Sequence, residues 1–179
     1  MRIARREFVH TALVAATGAL ASAHPLWAVA ARDGGIPSEL AARSTSGKPI
    51  SIAASDVKAL RAALRGPLLL AHDPGYDDAR SLYFRAFDHR PALIARAIDA
   101  ADVSLAVDFA RAHGLLTAVR GGGHSLAGQS VCEGGLTIDL SLMSAVEVDS
   151  QRRLARVQGG VLLGEVDRKT QAVGLATTM

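Results

Sequence analysis

The chain contains little cysteine, few aromatic residues and no long apolar run. One cysteine among 179 residues excludes an intramolecular disulfide framework and a zinc site of the CxxC type. Aromatic residues make up 4%, which argues against nucleic-acid binding on stacked aromatic side chains. The apolar run at residues 11–21 is about half of the roughly 20 residues that a membrane-spanning helix needs. We therefore expect no nucleic-acid partner and no stable membrane span.

The rest of the composition is that of an ordinary globular protein. Apolar residues make up 49% and charged residues 21%, and the length suits one domain with a hydrophobic core. The formal net charge of +3 falls to +1 when residues 1–30, which hold three arginines and one glutamate, are set aside. The basic balance therefore comes mainly from the N-terminal segment and indicates no acidic partner.

Residues 1–30 have the pattern of an export signal. An arginine-rich start precedes the apolar run, and small residues at 21–23 (ASA) and 28–30 (AVA) provide two cleavage sites. Residues 5–9 (RREFV) resemble the twin-arginine signal, which directs folded proteins; an ordinary secretory signal with a chance arginine pair is the alternative. We expect a periplasmic or secreted protein that acquires any cofactor before export.

Beyond the leader, the pattern predicts mixed helix and strand. Residues 31–54 show no clear period and predict a linker or irregular arm, after which Ser55 is expected to cap a short helix. Residues 68–70 form a short buried strand or turn, and a second helix is expected from Asp77 to about Phe87. We expect one folded unit over residues 55–179.

A strand–helix–strand unit is predicted next. Residues 93–96 form a strand, a helix begins at Asp99 or Asp102 and ends at Gly114, and residues 115–119 form a second, parallel strand. This unit delivers the chain into residues 120–125 (RGGGHS). Further elements follow: a strand at 137–140, a hairpin of 146–148 with 154–158, and a helix at 161–172.

Three consecutive glycines after an apolar strand suit a ligand that contacts the backbone closely. Residues 121–123 can adopt positive φ, and their successive N–H groups can form a concave site for an anion such as a pyrophosphate. The segment does not match the dinucleotide-binding motif GxGxxG, because Leu126 stands where the third glycine would be. It is not a P-loop either, because the glycines are not followed by the lysine of that motif. A tight surface turn is the alternative.

The histidine that follows the glycines is the candidate reactive group. A neutral imidazole at His124 is a competent nucleophile, although it equally suits a histidine that hydrogen-bonds a loop carbonyl. The histidines show no metal-binding H-x-x-x-H or HExxH spacing. A Ser–His–Asp hydrolase is poorly supported, because Ser125 adjoins His124 and no GxSxG motif exists.

Residues 120–125 resemble the flavin loop of FAD-linked oxidases of the berberine bridge enzyme type, in the vanillyl-alcohol oxidase / p-cresol methylhydroxylase (PCMH) superfamily. The resemblance runs from about Gly66 to Met179, with the motifs in family order. The matching segments are 73–80 (DPGYDDAR), 90–94 (RPALI), 134–140 (GGLTIDL), 155–160 (ARVQGG), 164–167 (GEVD) and 174–178 (GLATT).

The resemblance implies an α+β fold: the N-terminal portion of a PCMH-type FAD-binding domain, with two small α/β subdomains. The backbone of residues 121–125 would hold the FAD pyrophosphate, and His124 would be bonded to the 8α carbon of the isoalloxazine. The implied cofactor-binding residues are Arg120, Gly121, Gly122, Gly123, His124, Ser125 and Gly128. The resemblance assigns no catalytic residue and no metal.

The reaction implied by the family is oxidation of a small alcohol, amine or sugar, with hydride transfer to the flavin and dioxygen as the usual acceptor. Some relatives link the flavin also to a cysteine, at a position that lies beyond residues 174–178. Cys132 is therefore expected to be a buried or edge thiol. Tyr76 and Tyr83 are expected to be packing groups, because nothing in the sequence places them near a reacting atom.

The family pattern continues past Met179 into a substrate domain that would supply the general base. We therefore expect this polypeptide alone to bind FAD weakly or not at all and to turn over no substrate. One alternative is an inactive truncated remnant or flavin-binding module of such an oxidase. A second is a non-covalent cytosolic flavin reductase of the same superfamily, which His124 and the leader disfavour.

Overall fold

The computed structural model describes residues 35–177. The expected signal peptide and its twin-arginine motif lie outside these residues, so both stay predictions. Within residues 35–177, no helix is long and apolar enough to cross a membrane.

A β-hairpin opens the described part of the chain. Strands β1 (Glu39–Arg43) and β2 (Pro49–Ala53) pair antiparallel, with Leu40 opposite Ile52. Ala42 and Ile52 are buried in the core. The prediction of an irregular arm over 31–54 is therefore wrong from Glu39 onwards. In β1 the buried Ala42 is flanked by the exposed Ala41, so the alternation of apolar and polar residues that marks a strand is weak there.

Helix α1 (Ala54–Ala63) follows the hairpin directly. Its N-cap residue is Ala53, which forms no side-chain cap, so the prediction that Ser55 caps this helix is wrong. The continuous passage from strand to helix leaves Ser55 inside the first turn. Val57 and Leu60 are fully buried and attach the helix to the core. Strand β3 (Leu68–Leu69) comes next and confirms the short buried strand.

Helix α2 (Tyr76–Arg80) is much shorter than predicted, and the expected continuation to Phe87 is wrong. The guanidinium of Arg80 bonds the carboxylates of Asp77 and Asp88 and the carbonyl oxygen of His89. These contacts draw the following segment back towards the helix instead of letting it extend. Residues 81–87 therefore form a loop, called here the support loop.

A four-stranded sheet forms the centre of the fold. It contains β3, β4 (Leu93–Arg96), β5 (Thr117–Arg120) and β6 (Leu136–Asp139) in the order β3-β4-β6-β5. Strands β4 and β5 both run parallel to β6, while β3 is antiparallel to β4. The predicted parallel relation is confirmed, with β6 lying between the two strands.

Helix α3 (Ala100–His113) crosses from β4 to β5. The Asp99 carboxylate caps it by accepting hydrogen bonds from the amides of Ala101 and Asp102, both at 3.0 Å. Gly114 ends it in the left-handed conformation, with φ of 61°. Both predicted helix ends are confirmed. Phe109 of α3 is fully buried in the same core cluster as Leu60, Leu93 and Leu136.

A second hairpin and a helix complete the described fold, as predicted. Strands β7 (Val146–Asp149) and β8 (Leu154–Val157) pair antiparallel, and helix α4 (Leu163–Gln171) contacts β7. A Cβ atom at Gly160 would lie 1.7 Å from the carbonyl oxygen of Leu140, so only glycine fits there. This close crossing brings the start of α4 beside the end of the central sheet.

Candidate cofactor site

The triglycine segment leaves the sheet at the carboxyl end of its parallel strands. Strand β5 ends at Arg120, opposite Asp139 at the end of β6. Residues 121–125 continue outward from this edge, where open α/β sheets place their ligands. We call residues 120–125 the glycine loop. The sheet thus positions the loop, and residues 120–125 themselves decide which hydrogen-bonding groups the loop offers to a ligand.

Two carbonyl groups of the glycine loop bind other segments of the protein. The carbonyl of Arg120 accepts from the amide of Leu140 at 2.8 Å, and that of Gly123 accepts from the amide of Tyr83 at 3.0 Å. No described residue accepts a hydrogen bond from the amide N–H groups of residues 121–124. Consecutive amides left in this way can donate to an anion.

Two of the glycines allow a close approach between the loop and the start of helix α4. A Cβ atom at Gly121 would lie 2.8 Å from the carbonyl oxygen of Gly159, and one at Gly122 would lie 3.1 Å from Cδ2 of Leu162. Gly123 adopts a φ of 74°, which a residue with a side chain adopts only with strain. Glycine is therefore required at Gly121 by packing and at Gly123 by backbone conformation, while Gly122 lies in close contact with a flexible side chain.

The side chain of Arg120 supports the loop instead of pointing away from the protein. Its guanidinium donates to Oδ1 of Asp139 at 3.1 Å and to the carbonyl oxygen of Ser81 at 3.2 Å. A Cβ atom at Gly123 would lie 3.1 Å from Nη2 of the same guanidinium. The charge of Arg120 is thus committed within the protein, beneath the turn at Gly123.

Asp139 is a residue supporting the glycine loop that the sequence analysis missed. Its carboxylate is fully buried and binds Arg96 at 3.0 Å, Arg120 at 3.1 Å and the hydroxyl of Ser141 at 2.8 Å. A buried carboxylate requires such partners. The available signal was an aspartate at the end of a strand that is otherwise apolar, residues 136–139 (LTID).

His124 lies exposed at the outer end of the glycine loop, and its ring stacks on Tyr83. The ring centroids are 5.0 Å apart and the ring planes differ by 19°. Tyr83 was expected to be a packing group because nothing in the sequence placed it near a reacting atom, and the structure instead places its ring against the candidate reactive group. The support loop folds back from α2, which brings two residues distant in sequence together.

Tyr76 behaves as predicted. Its ring is fully buried, and its hydroxyl donates to the carbonyl oxygen of Pro91 at 2.6 Å. Burial raises the pKa of the Tyr76 phenol. The side chain joins helix α2 to the start of β4 and takes no part in the candidate site.

The residues after His124 form a closed turn. The hydroxyl of Ser125 accepts a hydrogen bond from the amide of Gln129 at 3.1 Å. Gly128 is buried with a φ of 71°, and a Cβ atom there would lie 2.5 Å from the ring of Phe87. Contact with the support loop therefore accounts for this glycine without a ligand. Cofactor binding by Ser125 and Gly128 stays a prediction.

Cys132 is a buried free thiol, as predicted. Its Sγ atom lies 3.5 Å from the carbonyl oxygen of Leu136 and 3.9 Å from the hydroxyl of Thr137. Burial raises the pKa of this thiol. The residue thus packs beneath β6 and has the character of an inert core cysteine.

Comparison with known proteins connects this geometry with a cofactor. Residues 91–179 match the family model described as an FAD binding domain. The chain is 34% identical over 114 residues to (R)-6-hydroxynicotine oxidase of Paenarthrobacter nicotinovorans, an alignment that covers 64% of this chain and 25% of the relative.

Solved structures show the same fold. Crystalline 6-hydroxy-D-nicotine oxidase from Arthrobacter nicotinovorans superposes with a TM-score of 0.60 at 33% identity, covering 62% of this chain and 24% of that one. Xylooligosaccharide oxidase from Myceliophthora thermophila C1 superposes with a TM-score of 0.58 at 25% identity, covering 64% and 24%.

The chain spans about a quarter of the length of these relatives. The family match includes the glycine loop, the sheet edge that carries it and helix α4. Residues 91–179 therefore carry part of an FAD binding domain, and the described residues have the α+β fold of part of a PCMH-type FAD-binding domain.

Proposed function

We propose that the chain is the flavin-binding part of an FAD-dependent oxidoreductase and that residues 121–125 hold the pyrophosphate of FAD. One observation carries this proposal: the amides of residues 121–124 donate to no described residue, while the carbonyls of Arg120 and Gly123 hold the loop to the rest of the protein. Pyrophosphate oxygens accept hydrogen bonds and carry the negative charge that such amides bind. The glycine loop therefore suits this group in polarity and in shape.

Helix α4 adds to the same site. Gly122 approaches Leu162, the N-cap residue of this nine-residue helix, so the loop lies against the positive end of the helix dipole. Arg120 contributes indirectly, because its guanidinium is bonded to Asp139 and Ser81. Backbone dipoles, rather than an arginine side chain, would balance the phosphate charge.

We also propose that His124 is covalently bonded to the 8α carbon of the isoalloxazine. The imidazole is exposed beside the amides proposed to bind phosphate, and it is the only histidine of the described chain in that loop. In its neutral form an imidazole nitrogen is a competent nucleophile. A bond at this position would retain the flavin through export.

The bound flavin would accept a hydride from a small alcohol, amine or sugar and pass two electrons to dioxygen. The substrate classes follow from relatives that are named as oxidases of a hydroxynicotine and of xylooligosaccharides. The residues of this chain would hold the pyrophosphate and orient the attached ring. The described site contains no residue to which we assign the substrate proton.

The test is the mass of the denatured protein after incubation with FAD. A covalent bond accumulates with time, so attachment is detectable even where reversible binding is weak. We expect a gain of one FAD, abolished in His124→Ala and retained in His72→Ala, a control at another exposed histidine. Absence of the gain in the unmodified chain, or its persistence in His124→Ala, would contradict the covalent bond.

Protection of the loop amides from hydrogen exchange tests pyrophosphate binding separately. We expect FAD to slow exchange at residues 121–124, because these N–H groups have no acceptor in the described chain. Adenosine should protect them less than ADP, because adenosine lacks the pyrophosphate. Equal protection by both ligands would contradict the proposed role of the glycine loop.

A flavin-binding module without turnover is the second candidate, since we assign the substrate proton to no residue of the described site. Substrate-dependent peroxide release separates the candidates, because both retain the glycine loop. Flavin uptake without peroxide from any alcohol, amine or sugar tested would favour the module.

We infer that residues 1–30 export the folded protein. The twin arginines Arg5 and Arg6 precede an apolar run too short to span a membrane. Replacing both by lysine should leave the protein in the cytoplasm with its leader attached. Unchanged export of that variant would instead indicate an ordinary secretory signal.

A further inference from the structure

The stacked pair of Tyr83 and His124 has features that core packing does not explain. Tyr83 is 71% exposed, so its ring is removed from water only in small part. Its ring nevertheless lies nearly parallel to the imidazole at 5.0 Å, an arrangement in which aromatic rings attract one another. The contact therefore constrains His124 more than it stabilises the core.

A backbone contact also holds the support loop, which carries Tyr83, to the glycine loop, which carries His124. The amide of Tyr83 donates to the carbonyl oxygen of Gly123 at 3.0 Å. Two residues earlier, the carbonyl of Ser81 accepts from Arg120 at 3.2 Å. The glycine loop is thus tied to the support loop at two points, Arg120 and Gly123.

The support loop is itself anchored. Arg80, whose side chain is 11% exposed, bonds Asp77, Asp88 and the carbonyl of His89, so it joins both sides of residues 81–87. At the far end, the ring of Phe87 fills the space against Gly128. An anchored loop can hold the Tyr83 ring in place, whereas a free one could not.

An imidazole on a glycine-rich loop needs such a constraint if it is to react. Glycines leave the backbone many conformations, and an exposed histidine side chain has its own rotamer freedom. Attachment requires one ring nitrogen to meet the 8α carbon in a defined direction, and loss of orientation slows such reactions. Stacking restricts the orientation of the imidazole plane, and it leaves the edge of the ring, where the nitrogens lie, open for the reaction.

We propose that Tyr83 is a positioning residue that sets the plane of the His124 imidazole, and that this orientation serves attachment of the flavin. The role of this orientation in flavin attachment rests on the proposed function. In attachment, a C–N bond replaces one C–H bond of the 8α methyl group and the imidazole N–H bond. The two hydrogens, as two protons and two electrons, reduce the flavin, and dioxygen reoxidises it with release of peroxide.

The first experiment follows the imidazole by NMR without FAD. Removing the ring in Tyr83→Leu should move the His124 ring protons downfield, because protons above an aromatic face are shielded. Tyr83→Phe should retain the wild-type shifts. Leu154→Ala, at an exposed apolar residue in hairpin β7–β8, should leave them unchanged. Unchanged shifts in Tyr83→Leu would overturn the positioning role.

The second experiment measures the rate of covalent FAD gain. We expect a fall of about tenfold to a hundredfold in Tyr83→Leu, the range that misplacement of reacting groups produces, and rescue in Tyr83→Phe. In a His124→Ala background, Tyr83→Leu should leave reversible FAD affinity unchanged, whereas a merely structural role would lower it. A wild-type rate in Tyr83→Leu would overturn the link between orientation and attachment.

The two experiments separate the two proposals. If the unmodified chain gains no FAD mass, the proposed attachment fails, while the NMR shifts still decide whether Tyr83 orients His124. If the chain gains FAD and the Tyr83 variants change neither the shifts nor the rate, only the positioning role fails.

Discussion

Two fully buried carboxylates lie in this fold, and they bind different kinds of partner. Asp102, in the first turn of α3, accepts from the backbone amides of Arg65 at 2.9 Å, Gly66 at 3.0 Å and Ile98 at 3.1 Å. Asp139, at the end of β6, binds the guanidinium groups of two arginines as well as the hydroxyl and the backbone amide of Ser141. The first carboxylate is bonded by backbone dipoles alone, whereas the second also has two charged partners.

The difference shows how one kind of group serves two purposes. Asp102 joins backbone segments whose amides need an acceptor, and its bonds end there. Asp139 bonds Arg120, whose guanidinium lies beneath the Gly123 turn and also holds the support loop at Ser81. Asp102 therefore contributes to stability alone, whereas Asp139 contributes to stability and to the shape of the candidate cofactor site.

The largest expected effect comes from removing the carboxylate that binds two arginines. Asp139→Ala leaves Arg96 and Arg120 without their shared counter-ion, so we expect a loss of about 4 kcal/mol in the free energy of unfolding. FAD uptake per folded molecule should also fall, because Arg120 no longer supports the loop. Urea unfolding and flavin titration measure the two effects. Asp108→Ala, which breaks an exposed pair with Arg111, should change neither.

Removing the other carboxylate should lower stability without altering the site. Asp102→Ala leaves three amides without an acceptor, and we expect a loss of about 2 to 3 kcal/mol. FAD uptake per folded molecule should stay at the wild-type level under conditions where the variant is folded. A loss of uptake equal to that of Asp139→Ala would remove the distinction between the two carboxylates.

A pair of glycine variants sharpens the comparison at the loop itself. Gly123 and Gly47 have nearly equal φ values of 74° and 76°, so alanine at either position should cost about 1 to 2 kcal/mol of stability. Space is open around Gly47, whereas Gly123 lies against Arg120. Only Gly123→Ala should reduce FAD uptake. Equal uptake by the two variants would show that the Gly123 turn is not part of the site.

The smallest effect is expected at Cys132. Burial raises the pKa of its thiol, so the folded protein keeps the proton at a pH where the unfolded chain has released it. The associated stability is full below the unfolded pKa and is lost as the pH rises towards the folded value. Alkylation in the native state should be slow, and faster in urea at the same alkaline pH. Rapid native alkylation would contradict the buried position.

Several elements were predictable because their signals are local. Asp99 and Gly114 bracket α3 by capping chemistry that needs only neighbouring backbone groups. The apolar runs at β4, β5 and β6 predict strands wherever they lie in the fold. The glycine loop was predictable because three consecutive glycines allow positive φ and close approach of the backbone.

Other features depended on distant residues. The end of α2 at Arg80 depends on Asp88 and on the carbonyl of His89, which a helical pattern does not reveal. The first hairpin takes its place by covering the core with Ala42 and Ile52. In both cases tertiary contacts outweighed a weak local preference.

By itself the amino-acid sequence determined the order of strands and helices, the turn-forming glycines and the presence of a histidine beside them, because steric freedom and capping act between chain neighbours. Only the tertiary structure decided that Tyr83 stacks on that histidine and that Asp139 holds Arg120 beneath the turn. Such pairings depend on how the chain folds back on itself, and side chains distant in sequence find their partners only when the core is packed.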